Sequence, residues 1–124
     1  MTPAALCVDK TEMAIRARAL MKTHQVRHLA VVSHGQIVGV LSERDLRLVM
    51  GGGSGVTLES RTAVSEVCRL DPYIVEVDVP LVTVLETLVS RRIGSALVTK
   101  EGELAGIFTN TDACKLLAEL LATA

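Results

Sequence analysis

The sequence has little of what several specialised protein classes require. In 124 residues it has no tryptophan, one tyrosine and one phenylalanine, and its formal net charge is −1. Two aromatic side chains cannot form a base-stacking surface, and a nearly neutral chain offers no attraction for a polyanion. We therefore do not expect nucleic acid as a partner.

Cysteine is also sparse. Cys7, Cys68 and Cys114 are odd in number, lie far apart and form no CxxC pair. Neither a disulfide framework nor a zinc site is predicted, and three scattered histidines define no metal site. Buried, reduced thiols are the expectation.

Long apolar runs are missing as well. The most apolar stretch, residues 113–124, is interrupted by Lys115 and Glu119. No run reaches the roughly 18 to 20 apolar residues that span a bilayer. Charged residues within Met1 to Leu20 also argue against a secretory signal peptide. We expect no membrane segment and a cytoplasmic location.

What the sequence does have is a hydrophobic content of 49% and an internal repeat. That content is enough for a compact domain, which argues against disorder. Sliding the sequence along itself until Gly39 falls on Gly106 also places Asp45 on Asp112, and it preserves the apolar pattern between these anchors. Two copies of one unit therefore fill the chain.

Each copy predicts the order strand, helix, strand, strand, helix. The predicted strands are 73–77, 95–100 and 103–108 in the second copy, with hairpin strands at 29–32 and 37–41 in the first. The helical period gives an apolar stripe to each helix. These stripes are Met13, Ala17, Leu20, Met21 and Leu46, Val49, Met50 in the first copy, and Leu81, Val84, Leu85, Leu88, Val89 and Ala113, Leu116, Leu117, Leu120 in the second. A two-residue length difference between the copies is expected near the start of the first helix.

Copies of about sixty residues would be marginal alone, so we expect them to pack together about an approximate twofold axis in an α/β or α+β architecture. The predicted division is residues 1–55, which include a glycine-rich connector at 51–55, and residues 56–124. The connector is interpreted as flexible rather than as a phosphate-binding loop. Such a loop needs a strand before it and Gly-Lys-Ser/Thr after it.

The last strand of each copy ends in the same motif, GVLSERD at 39–45 and GIFTNTD at 106–112. A serine or threonine followed three residues later by aspartate is typical of a helix N-cap. The repeated Gly-apolar-apolar lead goes beyond what capping requires and favours a second role. A hydroxyl and a carboxylate beside free backbone amides suit a ribose phosphate, since the carboxylate accepts from a diol and the helix N-terminus receives an anion.

Catalysis is not expected from the same residues. The chain lacks the GxSxG pattern of a serine hydrolase, and capping explains Ser42 and Asp45 without an activated nucleophile. No cysteine has a neighbour in the sequence that would clearly lower its pKa. We therefore predict that the chain is not an enzyme.

The paired motifs and matching β-α-β-β-α patterns resemble a tandem pair of cystathionine β-synthase (CBS) domains, a Bateman module. The resemblance covers essentially the whole chain, including residues 64–68 and Asp71-Pro72. It implies a regulatory module whose cleft between the repeats binds an adenosine compound such as AMP, ADP, ATP, S-adenosylmethionine or NAD, with no other cofactor. It also implies a homodimer and a regulated partner that the sequence does not identify.

The chain departs from the family pattern in two places. Cys68 stands where the family commonly has methionine, a mild change of volume. Met1 falls on the equivalent position of the first repeat, so either the chain begins abruptly or a longer protein was trimmed.

The resemblance also implies roles for particular residues. Asp45 and Asp112 would contact ribose hydroxyls, and Ser42 and Thr109 would reach the ribose or phosphate. The backbone at Leu6 and Tyr73 would frame the adenine, together with residues preceding the second strand of each repeat. Arg27, His28, Arg44 and Ser95 complete the predicted ligand-binding residues.

The two copies differ in charge around the motif. Arg27, His28 and Arg44 in the first copy align with Gly94, Ser95 and Thr111 in the second. The cleft nearest the cationic cluster is therefore predicted to prefer phosphorylated adenosine, and the other to be weaker or to take a less charged ligand. The alternative is that both arginines are merely solvated.

A second hypothesis is a ligand-independent dimerisation or interaction scaffold. It would use the apolar sides of residues 81–89 and 116–121. Both hypotheses predict a homodimer, so only the response to a ligand separates them.

Overall fold

The computed structural model describes residues 6–50, except for the side chain of Met50, and residues 62–123. The predicted connector at 51–55 and the predicted boundary after residue 55 lie outside the described residues. The described residues form two compact units, one that includes residues 6–50 and 62–72 and one that includes residues 73–123.

The first unit is a three-stranded sheet with two helices. Its elements are β1 (Cys7–Asp9), α1 (Ala14–His24), β2 (His28–Ser33), β3 (Gln36–Ser42), α2 (Glu43–Met50) and a 3-10 turn (Val64–Glu66). Strand β1 runs parallel to β2, and β2 runs antiparallel to β3. The parallel pair requires a crossover, which α1 provides.

The second unit repeats this arrangement. Its elements are β4 (Ile74–Glu76), α3 (Leu81–Arg91), β5 (Ser95–Lys100), β6 (Glu103–Thr109) and α4 (Asn110–Thr123). Strand β4 is parallel to β5, and β5 is antiparallel to β6. The predicted mixed α/β (α+β) class and the order of elements are confirmed.

The two units keep a constant offset along the chain. Helix α1 begins at Ala14 and α3 at Leu81, and each of the other strands and helices starts at this same offset from its counterpart. The predicted two-residue length difference is therefore wrong. Met13 is the residue before α1 rather than part of its apolar stripe, and its backbone is extended.

Local backbone geometry also repeats. His34 and Gly35 in the first hairpin have φ angles of 51° and 75°, and Glu101 and Gly102 in the second have 54° and 81°. Two successive left-handed residues match the right-handed twist of the flanking strands, and glycine adopts this conformation without a side-chain clash. The predicted hairpins are confirmed.

Each unit has its own hydrophobic core. The first core consists of Val8, Ala14, Ala17, Met21, Leu29, Val31, Leu41, Leu46 and Val64. The second is smaller and consists of Val75, Val84, Leu88, Ala96, Val98 and Phe108. On α3, Val84 and Leu88 are buried, whereas Leu81 and Val89 of the predicted stripe are exposed.

Residues 62–72 pack against the first unit although they follow the connector. The amide of Ala14 donates to the carbonyl of Thr62 (2.8 Å). The amide of Val64 donates to the carbonyl of Glu12 (2.8 Å). Val64 is fully buried in the first core. The division after residue 55 remains a prediction about the sequence repeat, while in space residues 62–72 complete the first unit.

Two expectations about the surface can be compared with the structure. Cys7 and Cys114 are exposed and only Cys68 is half-buried, so the prediction of buried thiols is wrong for two of the three. Within residues 6–50 and 62–123, no helix is both long enough and apolar enough to span a membrane.

Candidate functional site

The first motif forms a reciprocal cap at the junction of β3 and α2. The Ser42 hydroxyl accepts a hydrogen bond from the amide of Asp45 (3.0 Å). The Asp45 carboxylate returns one through Oδ2, which accepts from the amide of Ser42 (3.1 Å). Two amides that would otherwise lack helical partners are thereby satisfied, and the helix begins at a defined residue.

The second motif repeats the cap between β6 and α4. Asp112 Oδ2 accepts from the amide of Thr109 (2.9 Å) and from its hydroxyl (3.1 Å). The amide of Asp112 donates to the same hydroxyl (3.3 Å). The capping interpretation of both motifs is therefore confirmed.

Capping and ribose binding are compatible at these carboxylates. In both motifs the capping bonds fall on Oδ2. A carboxylate offers two oxygens and about four acceptor sites, so the cap does not use its whole capacity. The cap also holds the side chain in one orientation, which reduces the entropy lost when a diol binds. The ribose contact itself remains a prediction.

The topology brings the predicted site residues to one end of each sheet. Strands β1 and β2 begin at this end and β3 finishes there, so we name it the motif end. In the first unit Leu6 precedes β1, and His28 lies directly opposite Ser42 in the β2–β3 register. Directly opposite residues in an antiparallel pair have side chains about 5 Å apart on the same face.

The second unit has the same arrangement at its motif end. Ser95 lies opposite Thr109 in the β5–β6 register, and Tyr73 precedes β4. The carbonyl of Tyr73 accepts from the amide of Leu97 (2.8 Å), as that of Leu6 accepts from Ala30 (3.0 Å). These two backbone positions are therefore anchored in their sheets beside the motifs.

A backbone bond ties the residue before the second strand to the start of the following helix. The carbonyl of Arg27 accepts from the amide of Glu43 (2.8 Å), and that of Gly94 accepts from Asn110 (3.1 Å). The backbone of Arg27 is thus placed beside the start of α2, and its contact with a ligand remains a prediction.

Side-chain charges at the first motif end include two residues that the sequence reasoning missed. Glu43 Oε2 lies 3.9 Å from Arg27 Nε, and its Oε1 lies 3.4 Å from Arg47 Nη2. These side chains are 43 to 80% exposed, so such pairs contribute at most about 1 kcal/mol. The spacing of Glu43 and Arg47 is a recognisable signal for a helical pair.

Arg44 is exposed and makes no ion pair with any residue that the structure describes.

The charge difference between the units persists after this pairing. At five equivalent positions the first unit has Arg27, Glu43, Arg44, Asp45 and Arg47, a net charge of +1. The second unit has Gly94, Asn110, Thr111, Asp112 and Cys114 there, a net charge of −1.

A cation that the sequence analysis did not place at the second motif end lies near it. The guanidinium carbon of Arg91 lies 5.4 Å from the centroid of the Tyr73 ring, within the range of a cation–π contact. Arg91 is the last residue of α3 and Tyr73 precedes β4, and no spacing rule pairs residues so distant along the chain. Counting Arg91 reduces the charge difference between the two motif ends. The first motif end remains the more positive of the two.

Residues 68 and 69 pack close to the first motif. The backbone of Arg69 pairs with Val40 through two hydrogen bonds of 2.9 and 3.0 Å. Burial raises the pKa of the Cys68 thiol, and the negative charge of Asp45 raises it further. The thiol therefore stays protonated at neutral pH.

Metal ligation has no support in the described ranges. No group of three or more histidine, cysteine, aspartate or glutamate side chains that could hold a metal ion occurs within residues 6–50 and 62–123.

Comparisons with known proteins agree with this architecture. The family model described as the CBS domain matches residues 1–52 and 64–119. No curated protein matches the sequence. A CBS-domain protein from Agrobacterium tumefaciens is 21% identical with a TM-score of 0.78, over 93% of this chain and 90% of that one.

Two further solved structures are similar. The CBS domain pair of protein MJ0100, solved in complex with 5′-methylthioadenosine and S-adenosyl-L-methionine, is 17% identical with a TM-score of 0.79. The alignment covers 96% of this chain and 92% of that one. Protein MJ1225 from Methanocaldococcus jannaschii is 22% identical with a TM-score of 0.75, over 94% of this chain and 45% of that one. At these identities the likenesses establish the fold.

Proposed function

The chain belongs to the CBS-domain family, and on that premise we propose that it is a regulatory module that binds an adenosine-containing small molecule. The ligand class is AMP, ADP, ATP, S-adenosylmethionine or NAD. The observation that carries the proposal is the repeated motif end, where a capped carboxylate, a hydroxyl and a helix N-terminus meet in each unit. The MJ0100 pair, which has the same fold and binds two adenosine compounds, supports the ligand class.

Each motif end would divide the ligand among its parts. Asp45 and Asp112 would accept hydrogen bonds from ribose hydroxyls, while Ser42, Thr109 and the first amides of α2 and α4 would face the ribose or phosphate. The anchored backbone at Leu6 and Tyr73 would lie beside the adenine.

Phosphate preference would differ between the two motif ends. Arg44 adds an exposed positive charge at the start of α2, where α4 has Thr111. Arg27 and His28 lie at the same end of the first sheet, and the equivalent residues of the second unit are Gly94 and Ser95. The first site would therefore prefer phosphorylated adenosine, and the second a less charged ligand.

Signalling would follow from a population shift. A ligand that contacts both repeats favours the relative arrangement to which it binds more tightly, and a partner protein reads that arrangement. The module would act without catalysis, as a homodimer, in the cytoplasm.

An interaction scaffold that binds no small molecule is the second candidate. It is favoured by one observation, the large apolar side chains that α3 and α4 expose. A sensor gains stability from its ligand by mass action, about 2.7 kcal/mol at a ligand concentration of 100 times Kd. A scaffold gains none.

The test combines thermal shifts with calorimetric titration. AMP, ATP, S-adenosylmethionine and adenosine are compared on the wild type and on Asp45→Ala and Asp112→Ala. Loss of a charge-assisted bond to ribose costs about 1.5 to 3 kcal/mol, or roughly ten- to a hundredfold in affinity. The thermal shift of each variant would fall accordingly.

Glu66→Ala is the matched control. Glu66 Oε2 accepts from the amide of Ala63 (2.7 Å), so its carboxylate caps a turn as Asp45 and Asp112 do but lies outside the motifs. If all three variants bind equally well, the carboxylates only cap helices and the ribose contact is refuted. If no adenosine compound stabilises the wild type, the scaffold replaces the sensor.

A further inference from the structure

A short segment that follows the connector is bound along the first unit, and we name residues 62–69 the strap. The amide of Val64 donates to the carbonyl of Glu12 (2.8 Å), and the amide of Ser65 donates to the carbonyl of Lys10 (3.0 Å). The Val64 side chain is fully buried in the first core. Backbone hydrogen bonds and apolar burial therefore hold the strap together.

The end of the strap lies against the strand that carries the first motif. Arg69 exchanges two backbone hydrogen bonds with Val40 (2.9 and 3.0 Å), on the edge of β3 that β2 does not occupy. A Cβ atom at Gly39 would lie only 2.5 Å from the Arg69 carbonyl oxygen and 3.2 Å from Cys68 Sγ. Ser42 ends the same strand two residues after Val40, so the strap restrains the strand that positions the motif hydroxyl.

Ligand binding at the first motif end and docking of the strap should favour each other. A ribose held by Asp45 and Ser42 requires a fixed end of β3, and the strap fixes it along its free edge. Burial raises the pKa of the Cys68 thiol and the charge of Asp45 raises it further, which links the strap to the motif carboxylate electrostatically. A peripheral segment can open without global unfolding, and a ligand shifts such an equilibrium towards the state that it binds more tightly.

We propose that the strap couples the first ligand site to the second unit. A ligand at the first motif end favours the docked strap, and the docked strap fixes the chain that enters the second motif end. Residues 70–72 alone join Arg69 to Tyr73, and Pro72 has a fixed φ and biases Asp71 towards an extended backbone, so this link is short and stiff. The inference rests on the proposed function and names the element that transmits occupancy of the first site.

The first test measures amide hydrogen exchange by NMR on the intact chain, with and without saturating AMP. The amides of Val64, Ser65 and Arg69 report docking, because each donates to the first unit. Where they exchange faster than core amides they do so by local opening, so slower exchange measures the coupling. We expect AMP to slow them by about fivefold or more in the wild type and in Asp112→Ala, which lacks the second motif carboxylate, but not in Asp45→Ala.

Glu66→Ala is the control for a change within the strap. The Glu66 carboxylate accepts from the amide of Ala63, inside the same segment, so its loss leaves the docking bonds to the first unit in place. The strap amides of this variant should respond to AMP as those of the wild type do.

The second test weakens docking directly. Val64→Ala removes the buried side chain of the strap, and in the Asp112→Ala background calorimetry should show AMP binding weaker by about fivefold or more. Met21→Ala is the matched control, since it truncates the same core from α1 at a side chain that is 4% exposed, and it should leave the affinity unchanged. If Val64→Ala does not fold, the exchange measurement on the wild type decides the question.

Transmission to the second unit has its own readout. The amide of Leu97 donates to the carbonyl of Tyr73 (2.8 Å), so its exchange reports how firmly the start of the second unit is held. In Asp112→Ala, AMP at the first site should slow exchange at Leu97. Adding Pro72→Gly, which loosens the link, should abolish this effect while the strap amides still respond.

The outcomes are distinguishable. If AMP binds at the first site without slowing the strap amides, or binds Val64→Ala as tightly as the wild type, the inference is overturned and the proposed function stands. A response of the strap without one at Leu97 also overturns the coupling, and the strap is then part of the first site alone. If no adenosine compound binds the wild type, the proposed function and the inference both fall.

Discussion

Gly39→Ala is predicted to destabilise the first unit through one close backbone approach. A Cβ atom at this position would lie 2.5 Å from the carbonyl oxygen of Arg69 and 3.2 Å from Cys68 Sγ. Ordinary contacts begin at about 3.4 Å, so the chain at residues 68–69 would have to move by roughly 0.9 Å. The obstacle is backbone, which cannot rotate away as a flexible side chain can.

The magnitude follows from the bonds that this movement disturbs. Arg69 and Val40 exchange two backbone hydrogen bonds of 2.9 and 3.0 Å. Each contributes about 0.5 to 1.5 kcal/mol, so their loss costs about 1 to 3 kcal/mol. Alanine also reduces the entropy of the unfolded chain, which offsets about 0.4 to 1 kcal/mol of that cost.

Gly94→Ala is the control that isolates the contact. A Cβ there would meet its nearest neighbour, Asn110 Nδ2, at 3.5 Å, an ordinary distance. The entropic offset is similar in both variants, so the difference between their unfolding free energies measures the approach at Gly39. Urea denaturation followed by circular dichroism should give a difference of about 1 to 3 kcal/mol. A difference below about 0.5 kcal/mol would refute the reasoning, because ordinary surface substitutions reach that size.

Three further predictions concern the core, the thiol and the phosphate preference. Leu46→Ala should lower the unfolding free energy by about 2 to 5 kcal/mol in urea denaturation, because Leu46 is 1% exposed, whereas Leu120→Ala should change it by less than about 0.5 kcal/mol in the monomer. Asp45→Asn should lower the raised pKa of Cys68 by removing a nearby negative charge, so alkylation at pH 8 should be faster than in the wild type; an unchanged rate would contradict the proximity of the two groups. Arg44→Ala should weaken AMP binding several-fold in calorimetry while leaving adenosine binding unchanged, and an equal effect on both would remove the argument from charge.

The repeated features were predictable because they are encoded locally. A single constant offset aligns the turn glycines, the capping residues and the apolar pattern, and each of these features specifies its own few residues. The error at Met13 is also local in origin. An apolar residue four positions before Ala17 fits a helical stripe whether it lies in the first turn or just before it, and the pattern alone cannot separate the two.

The features that were missed depend on contacts between distant positions. Arg27 and Glu43 are separated in the sequence by a whole hairpin and meet only because β2 and β3 pair. Val64 enters the first core from beyond the connector, and no periodicity within the second copy indicates this. For the same reason the sequence predicted the cap at Asp45 but did not indicate that the charge of Asp45 acts on the Cys68 thiol.

The packing of residues 62–72 has a consequence for how the protein is made. The ribosome synthesises β1, β2 and β3 well before Val64 and Arg69. Domains generally fold as they emerge from the ribosome. The first unit nevertheless cannot bury its last core residue or complete its backbone pairing until translation has passed the glycine-rich run. Its folding is therefore expected to wait for the codons that follow, and a pause in elongation within that run would leave an incomplete first unit exposed to proteases and chaperones.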